Sequence, residues 1–410
     1  MMIEVKKLVR SLSDFPLFIL IGIGAGFLGY AFRLSITWAG IVRHQHPILI
    51  FLLPVTAVLV TALYRLGLKK RKHGTKTVIA AVRNHSSVKG IQVPLVFFAS
   101  FLTHLTGGSS GREGAVLEMG GVLGDRMVSR LRHPGRKGRR HHALPLISAR
   151  EDYETQRRMA ILCGMVGAFS ALFVTPLAAV FFVLEVTDRR QILRCFVPLF
   201  TTSMISFFVV CLLGWRPSRL PYYFPGTLPN GSLLRAALLA IVCSLVGRFF
   251  CVTIKGVPHL ARTYIKESYL RVFLLSVGIV LLTLLLKTDK YNGLGTETIN
   301  EALHGSGEYT DFFWKTILTS MTLAAGLKGG EIIPAIFVGT TFGAAYSPLF
   351  GLPHDLGAAL GMVGILSAVA KTPVAAVLLG VELLGGEGIF FYAVASVVCY
   401  FLSGKNGLYT

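Results

Sequence analysis

One 22-residue segment occurs twice in this chain, and no other feature narrows the fold so far. Residues 164–185 read GMVGAFSALFVTPLAAVFFVLE; residues 361–382, a shift of 197, read GMVGILSAVAKTPVAAVLLGVE, with 12 of the 22 positions identical. Matched Met, Ser, Thr, Pro and Glu residues argue against the accidental likeness of low-complexity apolar sequence. Two further matches keep the same order. Gly74-Thr75-Lys76-Thr77 recurs as Gly295-Thr296-Glu297-Thr298, and the glycine-rich loop Gly107–Ala115 is answered by Gly329–Pro334. The chain is a duplication whose helices are broken by Gly and Pro at corresponding places, a pattern that in membrane proteins points to a binding site near the bilayer midplane.

Composition agrees with a membrane setting. Only 15% of the 410 residues are charged and 53% are hydrophobic, against about 25% charged in soluble domains. Phe15–Tyr30, Ile48–Tyr64, Phe196–Trp215, Leu233–Ile254 and Val272–Leu286 are long enough to span or nearly span a bilayer. Val93–Leu105, Ile161–Val174, Leu356–Ala370 and Val374–Leu384 are too short or broken, and read as re-entrant or tilted segments among true spans. The expected fold is therefore an all-α polytopic membrane protein, with a first repeat over 1–260 and a second over 261–410.

A net charge of +21 invites a nucleic-acid partner, but the basic residues cluster at Arg65–Lys76, Arg126–Arg158 and Arg189–Arg194, between apolar segments and without a nucleic-acid-binding motif. The positive-inside rule accounts for them as cytoplasmic loops. The first apolar run follows Lys6, Lys7 and Arg10 and lacks a small-residue cleavage site, so it reads as a retained helix with a cytoplasmic N-terminus. The six cysteines lie in or beside apolar segments without CxxC spacing, which suggests neither disulfides nor a metal site.

Chemistry concentrates in Gly107-Gly108-Ser109-Ser110-Gly111-Arg112-Glu113-Gly114-Ala115. This loop follows one apolar helix and opens another. The restart leaves backbone N–H groups without intrahelical partners, with the positive end of the helix dipole behind them, which is an anion site needing neither lysine nor metal. Glu113 is a carboxylate tethered beside that site, and protonation would release it. A charge placed in the middle of a membrane domain is costly and as a rule functional. Arg112 reads as its structural neighbour. The same loop also fits GxSxG, a serine-hydrolase signature with Ser109 as nucleophile, but only His104 lies near enough in sequence to serve as base.

Together these elements resemble the CLC family of anion channels and proton-coupled anion antiporters. Gly111-Arg112-Glu113-Gly114 resembles the family's GREGP motif with its gating glutamate, Gly329–Pro334 its GxFxP motif, and Gly74–Val78 stands where the family has GSGIP. Gly407-Leu408-Tyr409 resembles the segment whose tyrosine touches the central anion, and Thr175–Glu185 the proline-broken helix ending in a carboxylate. The resemblance implies a CLC-type duplicated inverted repeat with broken, re-entrant helices, a homodimer, and no cofactor. It implies anion binding at Thr75, Gly111, Arg112, Gly114, Ala115, Gly330, Ile332, Ile333 and Tyr409, with Glu113 coupling protons. Glu331 reads either as part of the proton path or ion site or as a brace for the facing half.

The departures are informative. Ala115 replaces the motif's proline, Lys76 and Thr77 depart from GSGIP, Glu331 and Ile332 precede Pro334, and Val186 follows Glu185 where chloride/proton exchangers carry an internal glutamate. The missing proline at Ala115, the Gly-Gly-Glu before Pro334 and the missing internal glutamate at Val186 lean towards the family's fluoride-exporting branch, although Ile333 stands where that branch often has threonine. The expectation is a plasma-membrane exchanger of halide, fluoride or chloride, against protons. The alternatives are a chloride/proton antiporter or passive chloride channel of the same fold, and an intramembrane hydrolase. The chain ends at Thr410, without the soluble nucleotide-binding modules of many eukaryotic members.

Overall fold

The computed structural model describes residues 15–68, 74–132 except 85 and 87, 146–187, 192–215, 220, 222, 224, 228 and 230–409. Much of the basic stretches assigned to cytoplasmic loops (69–73, 133–145 and 188–191), and Lys6, Lys7 and Arg10, lie outside them. The described residues form α-helices α1 (Phe15–Gln45), α2 (Leu53–Leu68, preceded by the 3-10 turn Pro47–Leu52), α3 (Thr75–Asn84), α4 (Gln92–Leu105), α5 (Glu113–Arg132) and α6 (Leu146–Phe173). Next come α7 (Pro176–Thr187), α8 (Ile192–Leu212), α9 (Ser232–Tyr264), α10 (Ser268–Leu286) and α11 (Thr296–Leu303). The last are α12 (Asp311–Ala324), α13 (Ile332–Tyr346), α14 (His354–Ala370), α15 (Pro373–Leu384) and α16 (Ile389–Leu402).

Among the described residues, six segments are long and apolar enough to cross a membrane. Five coincide with the runs read from sequence. The sixth, Ile332–Phe350, is 83% buried inside the protein, whereas the others are 28–50% buried. A helix enclosed by protein need not be uniformly oily, so its Gly-Thr-Thr-Phe-Gly stretch hid it. The basic linker also differs from expectation: α5 runs on to Arg132 and α6 starts at Leu146. Ala, Glu, Gln, Arg and Met in residues 149–160 favour helix, and Arg157 there is anchored, its Nε donating to Asp125 at 2.5 Å and its Nη2 to the Ser86 carbonyl.

The helices sort into two compact units that interleave along the chain. The first comprises Met1–Arg33, Lys72–Pro94 and Val116–Pro217. Within it α5 crosses α6 where a Cβ on Gly120 would meet the Gly164 backbone, and one on Gly124 the Ala160 carbonyl. Small residues let the two backbones touch, the usual packing of helices in a bilayer. Glu118 of α5 accepts from the Gly74 N–H (3.1 Å) and from Gln92 Nε2 (3.0 Å), joining the starts of α3 and α4. Arg83 at the end of α3 donates to the carbonyls of Val186 and Thr187, closing the C-terminus of α7 as a cation should.

The second unit comprises Leu34–Arg71, Leu95–Ala115 and Ser218–Thr410. Its α13 and α14 cross through Gly339 against Gly361 and Gly343 against Gly357, echoing the α5–α6 crossing. The repeat extends to backbone detail. Val174 and Lys371, which correspond at the 197-residue shift, both have φ of 60°, and each precedes a Thr-Pro pair that starts the next helix. Proline has no N–H for a continuing helix and disfavours αR before it, so both corners break at the same place.

Candidate anion site

The site is assembled within the second unit from two loop–helix junctions. After α4 the chain turns through Gly107 at φ 86°, and the loop is pinned by backbone and hydroxyl bonds. Gly108 N donates to Thr103 O (2.8 Å), Gly293 N to Gly108 O (3.1 Å), and Ser109 N to Thr322 Oγ1 (3.0 Å). Gly111 and Gly330 then exchange two antiparallel hydrogen bonds, each 2.7 Å. One residue beyond each glycine's neighbour, a helix begins: α5 at Glu113 and α13 at Ile332.

Glu113 is fully buried, at 0% exposure. Its Oε1 accepts from the N–H groups of Ile332 and Ile333, the latter at 3.0 Å, and its Oε2 from the Arg112 N–H at 2.7 Å. The carboxylate therefore sits on the N-terminus of α13, where free N–H groups and the helix dipole favour negative charge. Charge-assisted hydrogen bonds contribute roughly 1.5–3 kcal/mol each, so three offset much of the desolvation of a buried carboxylate. The two glycines are required by space. A Cβ on Gly111 or Gly330 would run into the Glu113 carboxylate.

The strut behind this cradle is a buried lysine. Lys315 of α12 has no exposed surface, and its Nζ donates to the carbonyls of Tyr291 (3.0 Å) and Gly293 (2.9 Å) while lying 4.9 Å from the Phe337 ring of α13. It holds the 291–293 turn, which in turn bonds Gly108. Arg43 braces the same turn through Asp289 (3.3 Å), and Tyr291 donates to Asp311 (2.8 Å). At the edge of this turn burial lowers the basicity of Lys290, but Asp311 and Glu308, at 2.8 and 2.7 Å, outweigh it and hold the ammonium above its ordinary pKa.

The profile of the family described as voltage gated chloride channel matches residues 55–404. The chain belongs to the voltage-gated chloride channel (CLC) family. It is 30% identical over 406 residues (95% of this chain, 84% of the relative) to a chloride/fluoride channel protein of Pseudomonas syringae pv. tomato. It is 25% identical to the H(+)/Cl(−) exchange transporter ClcA of Cronobacter sakazakii, covering 94% of this chain and 86% of that one. Among solved structures it matches a CLC-type fluoride/proton antiporter with a TM-score of 0.82 and 25% identity, over 96% of this chain and 95% of the other. A slow cyanobacterial Cl−/H+ antiporter matches with a TM-score of 0.79 at 17% identity, over 95% and 94%, a likeness of fold.

As a CLC protein the chain is no hydrolase, and the local geometry says why GxSxG misleads. The Ser109 hydroxyl pairs with Thr319 Oγ1 at 3.0 Å. Both ring nitrogens of His104 face carbonyl oxygens, Ser100 at 2.8 Å and Ser110 at 3.2 Å, so no base addresses the serine.

Of the residues singled out in sequence, Gly111, Arg112, Glu113, Gly330, Ile332 and Ile333 come together at the cradle. Gly114 and Ala115 continue the first turn of α5, Ala115 buried. Arg112 contributes its backbone; its Nε finds no hydrogen-bond partner among the described residues. Glu331 is the N-cap residue of α13, half-buried, and its side chain makes no capping bond. The buried phenol of Tyr409 lies within electrostatic range of both Glu113 and Glu331. Thr75 opens α3 in the first unit, after Gly74 at φ 101°. Glu185 and Glu382 are half-buried near the ends of α7 and α15. The sequence reading missed Lys315, Glu118, Arg83 and Arg43. A lone charge inside an apolar stretch was the available signal for the first two.

Proposed function

We propose that this CLC-family membrane anion transporter exchanges fluoride for protons in the plasma membrane, exporting fluoride from the cell. The observation that carries the proposal is the Glu113 carboxylate seated on the backbone N–H groups of Arg112, Ile332 and Ile333. A carboxylate there occupies the place of a small permeating anion. Protonation removes its charge, weakens its hold on those donors and frees the place for the halide. Deprotonation returns it, so proton and anion alternate at one site and move in opposite directions.

Fluoride is the most strongly hydrated halide and enters only where several donors replace its water. Converging backbone N–H groups supply them, and the Tyr409 hydroxyl and Thr75 are proposed to add to them. The sequence departures at Ala115, Glu331 and Val186 favour fluoride, as does the 30% identity to a protein named for chloride and fluoride, against 25% for the ClcA relative. Glu331 is assigned to the proton path or ion site. The repeats over 1–260 and 261–410, a cytoplasmic N-terminus and a homodimer with one pore per subunit belong to the same reading.

The test is flux from proteoliposomes, fluoride beside chloride, with internal pH recorded. Fluoride efflux should drive proton uptake, and Glu113→Gln should abolish that coupling. Faster chloride than fluoride flux in the wild type would overturn the fluoride assignment in favour of a chloride exchanger. Halide flux without proton movement would favour a passive channel.

A further inference from the structure

Away from the anion site, α9 changes character along its length. From Leu233 to Ile254 it is apolar apart from Arg235 and Arg248, and then Lys255, His259 and Arg262 follow within about two turns. That is the sequence of a helix leaving the hydrocarbon layer for the headgroup region. At this transition a cavity of about 470 Å³ opens between α9 and the segment after α16. Arg248, Val252, Lys255 and His259 line it from one stripe of α9, at spacings of four, three and four, and Lys405 and Asn406 face them. The lining carries four basic side chains and no carboxylate. Behind the wall, the Lys371 ammonium donates to Ser403 Oγ at 2.6 Å, and it and Glu331 both lie within electrostatic range of the lining Cys251. The Lys255 ammonium donates to the Gly407 carbonyl at 2.6 Å, which fixes the far side of the cavity to α9.

The apolar residues on the same face identify what the cations meet. Leu234, Leu238, Ile241, Leu245 and Val252 are 69%, 45%, 41%, 59% and 62% exposed, a stripe at helical spacing that runs along α9 into the cavity. An exposed apolar stripe ending in a basic pocket matches a molecule with an acyl tail and an anionic head. We propose that this cavity is a binding site for the phosphate headgroup of an anionic phospholipid, with an acyl chain lying along Leu234–Val252. Free inorganic phosphate would satisfy the cations but has no use for the stripe. Basic pockets between helices at a membrane surface bind anionic headgroups on the same electrostatic ground.

Native mass spectrometry of the purified full-length protein, with added phosphatidylglycerol or phosphatidylcholine, tests this. Wild type should retain one phosphatidylglycerol per chain in preference to phosphatidylcholine. Arg248→Gln combined with Lys405→Gln removes two exposed cations without touching the Lys255–Gly407 bond, and should cut that preference by roughly tenfold or more. Leu245→Ser should weaken lipid retention while leaving the headgroup preference in place. Equal retention of the two lipids by wild type, or an undiminished preference in the double variant, would overturn the site. Displacement of phosphatidylglycerol by millimolar inorganic phosphate, with no effect of Leu245→Ser, would overturn the lipid assignment and leave a simple phosphate site.

Discussion

Residues 110–115 and 329–334 are the same junction written twice and used in opposite ways. Gly111 and Gly330 correspond and hydrogen-bond to each other, as a local two-fold would place them. Beyond them the sequences part: Arg112-Glu113-Gly114 in one copy, Glu331-Ile332-Ile333 in the other. The first copy supplies the acceptor, the Glu113 carboxylate, and one donor, the Arg112 N–H; the second supplies the other two donors, the N–H groups of Ile332 and Ile333. The two junctions form a nearly symmetric cradle, and the proposed exchange chemistry rests on the residues that break that symmetry. Two carboxylates would repel within it, and none would leave no tethered anion to compete with a halide.

Restoring the symmetry is thus the severest way to break the comparison. Ile332→Glu puts a second carboxylate beside Glu113, and an uncompensated buried charge costs about 3–5 kcal/mol. Halide flux should fall below detection and the thermal midpoint in detergent should drop; near-normal flux would mean that Glu113 does not occupy this cradle during transport. The lysine strut is the next asymmetry. Lys315 has no lysine counterpart in Val93–Leu105, the matching helix of the first copy. Lys315→Met leaves the Tyr291 and Gly293 carbonyls without their donor, at about 1–3 kcal/mol each, and should lower the unfolding midpoint accordingly.

Gly330→Ala sharpens the comparison at the shared glycines, because its Cβ meets the Glu113 carboxylate. Overpacking of this kind costs about 1–3 kcal/mol. Halide flux should become less dependent on pH as the carboxylate is pushed off its donors, and an unchanged pH profile would argue against that displacement. The smallest effect is expected at the Thr-Pro corners. Val174 packs with Ala171 and Val210, whereas Lys371 reaches Tyr400 O (3.2 Å) and Ser403 Oγ (2.6 Å). Lys371→Val copies one corner onto the other and loses those two bonds while placing a β-branched residue at φ 60°, for about 1–3 kcal/mol. Urea or thermal unfolding would read it.

Much of this was legible beforehand, and for identifiable reasons. Periodicity of apolar runs gave five spans, and the repeat gave the two Thr-Pro corners, because a proline break is dictated locally. The cradle was legible because a glycine loop followed by a helix start leaves unpaired N–H groups whatever surrounds it. What sequence could not give were partners separated by long stretches of chain. Lys315 in an apolar helix announces a buried cation, but not that its acceptors are the carbonyls of Tyr291 and Gly293. Ile332–Phe350 escaped notice because hydropathy reports contact with lipid, and this helix is enclosed by protein. The ends of the Arg126–Arg158 linker carry the charge density of a loop, yet their residues favour helix and are helical.

The paired bonds between Gly111 and Gly330 bear on tempo. They tie the main chain just before Glu113 to the residue just before Glu331, so a change in the side-chain torsions of Glu113 is the motion that asks least of the backbone. Rotamer changes take picoseconds to nanoseconds when unhindered, while collective backbone motions take microseconds to milliseconds. On the proposed exchange mechanism, departure of the carboxylate means parting it from three N–H donors, a local event whose rate should follow proton supply and stay insensitive to membrane viscosity.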